Sequence, residues 1–121
     1  MTLKECYDAF GGNYQEVKER LRSDGLIQRM VVKFLDDPTY ERLCVAVGEE
    51  NYEEAFLEAH TLKGVVLNLS FGRLGESSGV LTEFLRGRTE LQEEEKTCCE
   101  GLFQQVRKEY QAVVEAIREL A

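Results

Sequence analysis

Apolar residues recur at spacings of three and four along most of the chain and strand-like alternation is scarce, so the pattern predicts a nearly all-α protein. The predicted helices run over residues 3–10, 14–22, 25–35, 38–47, 52–69, 71–86 and 90–120. Thr2 with Glu5, Asn13 with Glu16, Asn51 with Glu54 and Thr89 with Gln92 each place a capping oxygen three residues before a Glu or Gln, and Asp37 precedes the only proline, Pro38. The breaks are short: Gly11 and Gly12, Ser23 to Gly25, Asp36 and Asp37, Gly48 to Asn51, Ser70, and Gly87 to Thr89. Such short connections between amphipathic helices force antiparallel neighbours and hence an up-and-down bundle.

A chain of 121 residues holds one ordinary core, so a single domain is expected, with residues 25–121 as the bundle and residues 1–24 as an N-terminal helical cap. Leu3, Tyr7 and Phe10 could close the open end of the bundle. In the last helix Leu91, Leu102, Val106, Tyr110, Val113, Val114, Ile117 and Leu120 largely form one stripe, interrupted only by Gly101 as a weak point.

The helix over residues 52–69 carries the informative residues. At about 100° per residue its core stripe is Tyr52, Ala55, Ala59, Leu62, Val66 and Leu69. His60, the only histidine, then lies roughly 120° from the centre of that stripe, and Gly64 about 40° further out. Lys63 and Gly64, three and four residues after His60, share its patch of surface. Imidazole is a competent nucleophile near neutral pH, an ammonium offsets charge on phosphoryl oxygens, and a bare backbone leaves room for another protein, so the patch suits chemistry on phosphate. Phe56, Leu57 and Leu67 surround it as an apolar rim of the kind found at docking sites. Glycine within a helix is about 1 kcal/mol worse than alanine, which leaves two readings of Gly64: access for a partner, or close packing of a neighbouring helix.

Charge narrows the partners. The net charge of −8 argues against nucleic acid or an anionic membrane surface, both of which reward cationic proteins. From His60 to Arg88 the bases Lys63, Arg73, Arg86 and Arg88 outnumber the acids Glu76 and Glu83, so this window is +2 and the remainder is −10. Cys6, Cys44, Cys98 and Cys99 have no paired metal-ligand spacing and are expected as reduced, structural thiols. The start of the chain lacks a signal-like apolar run and no window approaches the roughly 20 apolar residues of a span, so a free-standing cytoplasmic protein is expected, monomeric and without a membrane partner.

His60, Lys63 and Gly64, with Leu69 nine places after the histidine, resemble the signature of histidine phosphotransfer (HPt) domains, the helical intermediates of multistep His-Asp phosphorelays. Ser70 departs from it, since the family usually has glycine there. The resemblance covers Leu26 to Leu120 and implies an antiparallel four-helix bundle with the histidine in mid-helix. It also implies that His60 reversibly accepts a phosphoryl group from the aspartyl phosphate of a response-regulator receiver domain or hybrid sensor kinase. The receiver would supply Mg²⁺, and this chain would need no cofactor or metal of its own and have no kinase activity. Some members use a glutamine of the following helix near the ring; Thr82 stands at the corresponding position, where its hydroxyl could orient the other ring nitrogen. Consistently, the sequence has no Walker loop or kinase signature. Two alternatives stay open: a degenerate relative acting as a non-catalytic helical adaptor, and a metal-binding bundle joining His60 to Glu58 or Cys44.

Overall fold

The computed structural model describes residues 1–120; Ala121, the last residue of the expected bundle span, lies outside the described residues. The elements are α1 (Leu3–Ala9), α2 (Tyr14–Leu21), α3 (Asp24–Lys33), a 3₁₀ turn (Phe34–Asp36), α4 (Thr39–Gly48), α5 (Tyr52–Asn68), α6 (Gly72–Leu85) and α7 (Glu93–Leu120). Among the described residues there is no strand.

The starts follow side-chain capping. Thr2 and Glu5 form a reciprocal capping box, Asn13 accepts from the Glu16 N–H at 3.0 Å, and Asn51 accepts from the Glu54 N–H at 3.3 Å. Ser23 caps α3 by accepting from the Leu26 N–H at 3.2 Å, and Asp37 accepts from the Thr39 N–H at 2.8 Å ahead of α4. The last helix begins later than its sequence suggests, at Glu93 instead of residue 90. Leu91 is buried in the segment between Arg88 and α7, and the Gln92 N–H donates to Glu95 Oε1 at 2.8 Å, so the cap comes from within α7. Gly101 does not interrupt α7.

α4, α5, α6 and α7 form the antiparallel up-and-down four-helix bundle, with α5 packed between α4 and α6 and with α7 against α6. All six residues expected on the inward stripe of α5, from Tyr52 to Leu69, are buried. Burial of a side chain such as Leu62 contributes about 1.5–3 kcal/mol. Phe103, Val106, Val113, Ala116 and Ile117 face inward from α7, and Tyr110 stacks on Tyr40 of α4 with ring centroids 3.7 Å apart.

The short N-terminal helices close the end of the bundle where α5 stops. Tyr7 and Phe10 are fully buried against Phe71 of the α5–α6 connection, with ring centroids at 5.6 and 4.9 Å. The last carbonyls of a helix lack partners within it. Here Tyr7 donates its hydroxyl to the Leu69 carbonyl at 2.8 Å, Arg20 donates to the Asn68 carbonyl, and the Asn13 N–H donates to the Ser70 carbonyl at 2.8 Å. Ser70 takes a left-handed backbone with φ of 60°, a conformation that favours glycine. Its buried hydroxyl donates to Glu16 at 2.7 Å and accepts from Arg20 at 3.2 Å.

Candidate functional site

α5 presents His60 to solvent in mid-helix, and the Phe56 ring one turn earlier lies nearly parallel to the imidazole, 6.0 Å between centroids and 14° between planes. The Arg86 guanidinium, at the end of α6, sits over Phe56 at 5.2 Å from the ring centroid. Arg86 is held in turn by Glu83, donating Nη2 to Oε1 at 2.8 Å and Nε to Oε2 at 3.2 Å. The two Arg86 hydrogen bonds hold the Glu83 carboxyl below its usual range, and the charges of Lys63 and His60 add to this in lesser measure.

Lys63 lays its stem on α6. A Cβ built on Gly79 would stand 3.5 Å from Lys63 Cε and 3.9 Å from Nζ, ordinary van der Waals distances, so the lysine stem runs directly over this position of α6. No carboxylate lies within 4.0 Å of its ammonium among the described residues. At Gly64 a Cβ would meet nothing within 4 Å, so intramolecular packing does not require glycine there. Leu57 and Leu67 are 54% and 44% exposed, and Phe56 is half-buried. Leu67 also folds over Gly75, where a Cβ would be 2.4 Å from Leu67 Cδ2. Gly75 of α6 thus serves close contact with an α5 side chain, whereas Gly64 opens outward.

A family model described as Hpt domain matches residues 29–116, well over half of the chain. The chain belongs to the Hpt domain family. No curated protein and no solved structure matches it. Hpt domains are histidine phosphotransfer modules of phosphorelays, and are phosphocarriers rather than classical enzymes. The match begins within α3 and ends within α7, so α1 and α2, which cap this Hpt domain, lie outside it. No described helix is long and apolar enough to cross a membrane.

In this Hpt domain Thr82 does not stand where its expected role requires. It is fully buried, and its hydroxyl donates to the Ser78 carbonyl of its own helix at 2.7 Å. The next residue, Glu83, is the one exposed on the His60 side, because a one-residue step turns a helix by about 100°. Sequence reasoning missed Glu83 and Arg86 as site residues; their i, i+3 spacing near the end of α6 was the available signal. Among the described residues no group of three or more His, Cys, Asp or Glu is placed to hold an ion. All four cysteines are free thiols, with Cys6 and Cys99 buried.

Proposed function

We propose that this Hpt domain is a phosphocarrier in which His60 accepts a phosphoryl group from the aspartyl phosphate of a receiver domain and passes it on. The observation that carries this reading is the solvent-facing imidazole with an ammonium at Lys63, unpaired among the described residues, and open space at Gly64 on one helix face. The lone pair of the ring nitrogen further from the backbone attacks phosphorus in line, the N–P bond forms, and the P–O bond to the receiver aspartate breaks as its carboxylate leaves. Lys63 offsets charge on the equatorial oxygens. The receiver supplies the carboxylate and Mg²⁺, and approaches over Phe56, Leu57 and Leu67. We take the carrier to be cytoplasmic and monomeric, serving receivers of response regulators or hybrid sensor kinases.

The test is phosphate uptake. Incubated with a phosphorylated receiver domain, the protein is expected to gain acid-labile, base-stable phosphate, and to stay unlabelled with ATP and Mg²⁺ alone. His60→Gln abolishes the uptake; labelling that survives this change would place the chemistry elsewhere.

A further inference from the structure

We propose that Glu83 acts as a resident anion: in the empty carrier its carboxylate is bound by Arg86 and stands in the field of Lys63, and it thereby sets how tightly His60 holds a phosphoryl group. The inference rests on the reading that His60 is the acceptor.

Three features place this carboxylate in the field of the ring. Arg86, its bidentate partner, lies on the face of Phe56, and Phe56 lies parallel to His60, so Glu83, Arg86, Phe56 and His60 form one connected chain of contacts. Lys63 rests on Gly79, one helical turn before Glu83. Lys63 and Glu83 also line the same groove between α5 and α6, together with Leu67, Gly75 and Val80. The lowered carboxyl range of Glu83, due to Arg86 first and then to Lys63 and His60, is what such a shared field produces.

A phosphoryl group on His60 adds about two negative charges on its oxygens, which then compete with Glu83 for the same cations. Repulsion from the resident carboxylate weakens the phosphorylated state, whereas Arg86 strengthens it. Glu83 and Arg86 are 61% and 53% exposed at their side chains, so solvent and salt screen the effect. Neutralising Glu83 should raise the equilibrium constant for transfer to His60 about threefold to tenfold at low ionic strength, and less in high salt.

The experiment equilibrates wild type, Glu83→Gln, Glu83→Asp and Arg86→Gln with one phosphorylated receiver domain, then quantifies phosphohistidine and phosphoaspartate at low and high salt. The overall constant compares free partners, so docking affinity cancels from it. Glu83→Gln should shift it toward phosphohistidine, Glu83→Asp should stay near wild type, and Arg86→Gln should shift it toward phosphoaspartate. If Glu83 merely holds Arg86 on Phe56, the two neutral variants move in the same direction; that result, or an unchanged constant in Glu83→Gln, overturns the proposal. Wild type that takes no phosphate from any receiver would instead remove the acceptor reading beneath it.

Discussion

Replacing Gly64 with alanine adds a methyl group where nothing lies within 4 Å, in the interior of a seventeen-residue helix. The substitution restricts the unfolded chain and leaves folded contacts untouched, so it should stabilise the protein by about 0.5–1 kcal/mol. For a domain of this size that raises the melting temperature by about 2–5 °C. Gly64→Gln keeps much of the gain, since glutamine is also a better helix former than glycine. Its longer side chain, however, occupies the space beside His60 that the proposed function reserves for an approaching receiver.

Gly64→Gln should therefore slow phosphoryl transfer at least about tenfold, equivalent to losing roughly 1.4 kcal/mol of productive docking, while the melting temperature rises. Thermal unfolding by circular dichroism and a transfer time course with a phosphorylated receiver measure the two quantities on the same samples. A lower melting temperature for Gly64→Ala would refute the open environment at that position. Transfer at the wild-type rate by Gly64→Gln would refute the idea that a partner approaches there.

Ser70→Ala removes the hydroxyl that binds Glu16 and Arg20 yet keeps the left-handed backbone, so it should cost about 1–2 kcal/mol in urea unfolding; Ser70→Gly should recover about 1 kcal/mol of that, and a glycine no better than alanine would refute the strain argument. Stability should also fall as pH rises above about 9, because burial pushes the Cys6 and Cys99 thiols from 9.0 up to about 11, and the unfolded chain releases their protons first. The contribution of each thiol, about 2–3 kcal/mol, is whole below pH 9 and is lost as pH climbs through about 11. Urea titrations at rising pH under reducing conditions should show that slope, and Cys6→Ala should flatten it; a slope indifferent to both cysteines would refute the assignment.

The elements written in local chemistry were legible in the sequence. Capping oxygens at Thr2, Asn13 and Asn51 act within three residues, and the α5 stripe depends only on helical period. Thr89 with Gln92 has the same local form, but the helix starts at Glu93 and its first turn is closed by the Gln92 N–H donating to Glu95. What the sequence concealed depends on distant segments. Tyr7 reaches Leu69 and Arg20 reaches Ser70 across some fifty to sixty residues, so the role of Ser70 in fastening the N-terminal helices to α5 has no local trace. The relation of Glu83 to His60 is set by the register of α6 against α5, and a one-residue offset was enough to point to Thr82 instead.

The outward side of α5 combines features that an isolated bundle would not favour: a helical glycine with nothing against it, two exposed leucines, and an ammonium with no carboxylate within 4.0 Å among the described residues. Each is relieved when a second protein covers the face and brings an anionic group, which is why they belong together. The two sides of the histidine then control different quantities. If Gly64 governs access, as the proposed function has it, its variants should change the rate of transfer in both directions equally and leave the equilibrium constant alone. Glu83 acts on the charge of the phosphorylated state, so its neutralisation should change the constant itself. An altered rate with an unchanged constant in both variants would mean that the face works as one steric unit, and the electrostatic role of α6 would have to be abandoned.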